Sequence, residues 1–156
     1  MSSIVMEPIG FVSSPRTVPL DDDWADITAT ITLDSERFTP AALEGLREFS
    51  HVEVLYVFDR VDRASVETSA RHPRGNESWP LVGVFAQRAK GRPNRIGVSV
   101  CQLLAVEQLE VTVAGLDAID ATPVLDLKPY MTEFAPRGEV RQPPWSHELM
   151  AGYWRR

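Results

Sequence analysis

Phe85-Ala86-Gln87-Arg88-Ala89-Lys90-Gly91-Arg92-Pro93-Asn94-Arg95-Ile96-Gly97 puts four cationic side chains between two apolar stretches, with Gly91 and Pro93 setting an irregular connection. Clustered guanidinium groups on a loop bind phosphate or carboxylate through forked hydrogen bonds, and Asn94 can read a base edge or cap the turn. A basic loop taken alone is more often a solvated hairpin tip. A second run, residues 115–130, packs Asp117, Asp120, Asp126, Lys128 and Tyr130 among apolar residues and brackets a short strand with Pro123 and Pro129. Its structural alternative is that Asp117 and Asp120 cap turns while Asp126 and Lys128 form an ion pair. In a third run, Phe49-Ser50-His51, the lone histidine is more often a hydrogen-bonded structural residue than a catalyst. Asp59, His51 and Asp126 are the candidates for proton transfer.

The 156 residues carry 16 Lys and Arg against 22 Asp and Glu, a net charge of -6, and the charge is unevenly placed. Residues 1–59 hold 3 basic and 11 acidic side chains, residues 60–95 hold 8 and 3, and residues 96–156 hold 5 and 8. The acidic average therefore conceals one basic segment suited to an anionic partner. With a hydrophobic content of 44%, disorder and fibrous classes are excluded. Cys101 is the only cysteine, which removes a disulfide framework and any zinc site of paired cysteines. His51, His72 and His147 lack metal-ligand spacing, so no metal is expected. There is no G-x-G, no phosphate loop and no serine nucleophile elbow. No apolar run reaches membrane-spanning length, and the expectation is a soluble, cytoplasmic protein without a membrane partner.

The elements that must position these residues are mostly strands, because the apolar stretches are short, β-branched and broken by turn residues. Strands are expected at 9–12, 28–33, 51–58, 81–87, 97–106, 109–113 and 124–127. The third is central, since both its faces are partly apolar. Short helices are expected after Thr39-Pro40, and at 147–153 with Ser146 as the cap. Residues 60–80 read as a long irregular loop. The pattern predicts a mainly β fold, a compact antiparallel, partly closed barrel of six or seven strands with one or two short helices, with open α/β as the runner-up.

Phe49-Ser50-His51 leading into a strand, then F-A-x-R followed by R-P-N-x-I-G, then G-L-D-x-x-D-x-T-P-V-L-D-x-K-P-Y, resemble in this order the motifs of the TrmO-like (YaeB/VirR-like) family of S-adenosylmethionine-binding proteins. The resemblance spans about residues 9–130. It implies a compact, usually dimeric barrel that binds S-adenosylmethionine and methylates the exocyclic amine of N6-threonylcarbamoyladenosine beside the anticodon of a transfer RNA. Carried over by motif, cofactor contacts come from Asp22, Asp23, Trp24, Asp59, Arg60, Arg88, Val98, Gly115, Leu116, Asp117 and Ala118. The resemblance assigns Arg92, Asn94, Lys128 and Tyr130 to organising the site or the RNA, and Lys90 and Arg95 of the basic loop join them as expected phosphate contacts. Backbone groups near Leu116 and Asp117 would read the adenine, and Arg88 would hold the methionine carboxylate. Two residues depart from the family pattern: Asp59 stands where many members have histidine, and Ala121 replaces the glycine of D-G-T, which narrows the backbone choices there. The barrel is expected over residues 1–135, with 136–156 a tail packing on it or on a partner subunit through Trp145 and Trp154. Beside the methyltransferase, two readings stay open: a non-catalytic S-adenosylmethionine sensor or interaction module, and a small RNA-binding barrel.

Overall fold

The computed structural model describes residues 1–155, and among them the strands close into one barrel. Six antiparallel strands form it: β1 (Gly10–Ser13), β2 (Thr28–Leu33), β3 (His51–Val57), β6 (Ile96–Glu107), β7 (Glu110–Ala114) and β8 (Pro123–Pro129). Their order around the barrel is β1-β2-β7-β6-β3-β8, with β8 pairing back on β1 through Gly10 and Val124. The barrel is therefore fully closed rather than partly open, and no barrel strand is left with an unpaired edge.

Alternation decides which side chains enter. β2, Thr-Ala-Thr-Ile-Thr-Leu, buries Ala29, Ile31 and Leu33 and turns its threonines outward. β3 sends Val52, Val54 and Tyr56 inward, and β7 sends Val111 and Val113. Each such valine contributes about 1.5–3 kcal/mol by leaving water. Gln108, at φ 53, makes the tight turn from β6 to β7, in the place its sequence suggested.

The expected strand at 81–87 is not formed as such. Only Val82–Gly83 (β5) is extended, pairing with Ala70–Arg71 (β4) in a separate two-stranded sheet, and Val84–Ala86 coils into a 3-10 turn. The closed barrel offers this segment no edge, so Val84 is buried while Phe85 points to solvent at 79% exposure. The buried Gln87 side chain donates to the carbonyls of Arg71 and Val82, tying the small sheet together. The helix after Thr39 is one 3-10 turn, Pro40–Leu43, without a cap from the Thr39 side chain. The C-terminal helix, α1, runs Pro144–Met150 rather than 147–153. Pro144 starts it because a first-turn position needs no amide donor, and the Ser146 hydroxyl bonds to the Pro143 carbonyl inside the first turn instead of capping it. No described helix is long and apolar enough to cross a membrane.

Candidate functional site

The barrel interior changes character along its axis. Toward the end where β3 and β7 finish and β6 and β8 begin, the valine lining gives way to Tyr56, Ser99 and Thr122. Tyr56 enters because its register partner on β6 is Gly97, at which a Cβ would lie 2.4 Å from the tyrosine ring. The chain leaving β7 turns at Gly115, φ 77, which brings Asp117 over this mouth. The Tyr56 hydroxyl donates to Asp117 Oδ1 at 2.8 Å, the Ser99 hydroxyl donates to the same oxygen, and the Tyr153 hydroxyl donates to Oδ2. One carboxylate thus collects hydroxyls from β3, β6 and the C-terminal segment.

Burial first, and the Asp117 charge second, push both tyrosine hydroxyls far above their usual range. The same two causes push the Cys101 thiol up to about 12. The two tyrosines are neutral donors to one carboxylate, while the thiol donates to the Ser99 and Gly115 carbonyls, an arrangement that orients a loop and does not by itself move protons.

Around this mouth lies a rim. Arg16 donates to the carbonyls of Asp22 and Asp23 at 2.7 and 2.8 Å, with its guanidinium 4.1 Å from the centre of the Trp24 ring. Trp24 is 3% exposed, so its ring is a wall and not an open stacking platform. Arg74 pairs with Asp22 at 3.0 Å and Arg155 with Asp23 at 3.2 Å. The acidic stretch 21–23 is thus partly neutralised by arginines distant in sequence. Across the mouth, Asp120 accepts from the Ser14 amide at 3.0 Å, while Arg60 reaches the carbonyls of Thr17 and Asp120. Asp59 is exposed at the end of β3, and its carbonyl accepts from Arg95.

The basic loop divides into two kinds of cation. Arg92 donates to the Gln87 carbonyl at 2.6 Å and Arg95 to the Val61 carbonyl at 3.0 Å, so these two hold the loop's shape. Lys90, Asn94 and Arg88 are exposed; Arg88 makes one bond, to the Val98 carbonyl at 2.8 Å. Asn94 and Arg95 adopt φ 63 and 52, left-handed geometry that asparagine tolerates well.

The proposed cofactor positions Asp22, Asp23, Trp24, Asp59, Arg60, Arg88, Val98, Gly115, Leu116, Asp117 and Ala118 come together at this end. Leu116 and Ala118 are buried, backbone included, while Gly115 and Asp117 stay partly exposed. Of the other candidates, Arg95 reaches the Asp59 carbonyl from the basic loop it shares with Lys90, Arg92 and Asn94, whereas His51, Asp126, Lys128 and Tyr130 are not brought together with the cofactor positions. His51 opens β3 at the opposite end, exposed, with its Nδ1 2.7 Å from the Ser50 hydroxyl. Tyr130 donates its amide to the His51 carbonyl there. Asp126 lies on the outer face, opposite Leu55, and pairs with Lys128 at 3.1 Å, the ion pair weighed from sequence. Among the described residues no three His, Cys, Asp or Glu side chains are grouped to hold a metal ion.

Sequence reasoning passed over Tyr56, Ser99, Arg16, Arg74 and Tyr153. Tyr56 did leave a signal, a hydroxyl-bearing residue on the inward row of an otherwise aliphatic strand. Tyr153 left none, since the tryptophans beside it are the more obvious anchors, yet Trp154 is 45% exposed.

Comparison with known proteins agrees with the barrel fold. Residues 12–135 match the family model of the tRNA-methyltransferase O N-terminal domain. A tRNA (adenine(37)-N6)-methyltransferase of Mus musculus is 42% identical over 60% of this chain and 21% of its own length. An S-adenosyl-L-methionine-binding protein of Archaeoglobus fulgidus is 32% identical over 83% of this chain and 91% of its own. A crystal structure of TrmO from Pseudomonas aeruginosa superposes with a TM-score of 0.72 at 30% identity, covering 90% of this chain and 62% of that one. The chain thus spans about a fifth of the mouse protein, under two thirds of the bacterial one and most of the archaeal one. With the model matching most of its length and a relative of its own size, the chain belongs to the tRNA-methyltransferase O N-terminal domain family.

Proposed function

We propose that the protein is a cytoplasmic, homodimeric, S-adenosylmethionine-dependent methyltransferase that methylates the exocyclic amine of N6-threonylcarbamoyladenosine in transfer RNA. The observation that carries this reading is the convergence, on one barrel mouth, of the backbone around Asp117 with the exposed Arg88 guanidinium. The donor set suits the group. The partly exposed backbone at Gly115 and Asp117, in a loop held by the Asp117 carboxylate, would supply donors and acceptors for an adenine edge. Arg88 has N–H groups beyond its bond to Val98 for a carboxylate, and the carboxylates of the rim suit an ammonium. When bound, S-adenosylmethionine supplies a methyl group already activated by its sulfonium. The protein therefore aligns the two reactants and keeps water out. Asp59 is the proton-transfer candidate at this mouth, and the acceptor amine would pass its proton there or to solvent.

Lys90, an exposed cation of the loop, would meet the RNA backbone. A second copy would cover the outer face of β6, where Val98, Val100 and Leu104 form an exposed apolar row. A monomer mass by light scattering would remove the dimer. The decisive experiment couples calorimetry with S-adenosylmethionine to mass spectrometry of transfer RNA nucleosides from a strain lacking the gene. Binding together with loss of one methylated adenosine supports the reading. Binding without any such loss favours the sensor, and transfer RNA binding with no heat from S-adenosylmethionine favours a plain RNA-binding barrel.

A further inference from the structure

The C-terminal turn touches the rim and the Asp117 loop at once. The amides of Asp23 and Trp24 donate to the carbonyls of Gly152 and Tyr153 at 3.1 and 2.9 Å. On the other side of the mouth the Tyr153 hydroxyl donates to Asp117, and Trp154 lies 3.6 Å from where a Cβ on Gly115 would stand. Farther back, the Trp79 indole donates to Glu148 of α1 at 2.7 Å, tying the helix that feeds this turn to the long loop. Three consecutive residues therefore span the gap between segment 22–24 and segment 115–118, which no strand pairing joins directly.

We propose that Tyr153 is a positioning residue of the cofactor site. Its hydroxyl completes the set that orients the Asp117 carboxylate, and its carbonyl holds Trp24, so the C-terminal turn sets the spacing of the two segments that flank the cofactor. This rests on the cofactor reading given above. The turn acts as a fixed wall and not as a plug that must leave. Releasing it would break a hydrogen bond to a carboxylate, uncover Trp24, which is 3% exposed, and leave two rim amides without acceptors. Burial and Asp117 push the Tyr153 hydroxyl up, and the charges of Arg88 and Arg74 act on it in the opposite direction.

The test is calorimetric titration of S-adenosylmethionine into the full-length wild-type chain, Tyr153→Phe, Asp117→Asn and the double variant, with thermal melting of each ligand-free protein. Phenylalanine keeps the ring and its packing and removes only the hydroxyl. The expected result is affinity about 10-fold weaker in Tyr153→Phe, with a melting temperature within a few degrees of wild type and transfer RNA affinity unchanged. The double variant should bind no more weakly than the weaker single variant, because both changes remove one interaction. Wild-type affinity or tighter binding in Tyr153→Phe overturns the inference, as do losses that multiply in the double variant. Absence of any heat with the wild-type chain is a different outcome: it sinks the cofactor reading and takes this inference with it.

Discussion

Ala121 has φ 65 in the turn that joins the Asp117 loop to β8, with its amide donating to the Val12 carbonyl at 2.7 Å. The residue type was expected to narrow the backbone choices there, and instead it occupies the left-handed region that glycine favours. Holding alanine in that region costs about 1–2 kcal/mol, of which glycine's greater freedom in the unfolded chain would return part. Ala121→Gly should therefore stabilise the protein by about 0.5–1 kcal/mol in urea denaturation, and a loss of stability would contradict the account. Cys101 is another residue whose behaviour follows from its surroundings. Its thiol is buried and its folded acidity lies near 12 against 9.0 ordinarily, so the folded chain keeps a proton that the unfolded chain releases. That contribution is complete below pH 9 and is lost as the pH rises toward 12, with Tyr56 and Tyr153 acting in the same direction from pH 10 upward. The unfolding free energy from urea titrations should fall between pH 9 and pH 11, by at most about 1.4 kcal/mol per pH unit for each group. Iodoacetamide at pH 8 should label Cys101 only after unfolding; rapid labelling of the native protein would refute its burial.

At the scale of elements, the pairing of β3 with β6 links fold and site. Tyr56 faces Gly97 across the ladder, and only an absent side chain on β6 lets the ring lie inside with its hydroxyl on Asp117. The glycine that ends R-P-N-x-I-G is thus a packing requirement of the tyrosine one strand away. Gly97→Ala should cost about 1–3 kcal/mol from overpacking, because Tyr56 is 1% exposed and has nowhere to move. It should also weaken S-adenosylmethionine binding by displacing the Asp117 partner. Unchanged stability in a denaturant melt would show that the ring relocates freely. The alternation in 28–33 and 51–57 made β2 and β3 legible, since period two with one apolar face has little other use. The 81–87 stretch misled because its valines at alternate positions carry the same signal. What denied it a full strand was a barrel already closed by other strands.

For the whole molecule, charge placement decides how RNA binding should respond to salt. The segment 60–95 carries the basic excess, but Arg92 and Arg95 are committed to carbonyls of the chain, Arg74 to the acidic rim, and Arg88 and Lys90 remain exposed. Lys90→Ala should reduce the slope of log affinity against log salt by about 1 per contacting subunit, whereas Arg95→Ala should lower the melting temperature more than the slope. Equal effects on the slope from both would show that Arg95 meets phosphate as well. Sequence alone determined the strand-rich class, the motif-bearing loops and the family resemblance, because those rest on local alternation, turn chemistry and residue order. Only the tertiary structure decided that Asp117 is held by Tyr56, Ser99 and Tyr153, that arginines neutralise the acidic rim, and that His51, Lys128 and Tyr130 lie at the other end of the barrel. Such contacts join residues tens of positions apart through barrel closure, and no pattern within one segment encodes which end of a closed sheet two distant residues share.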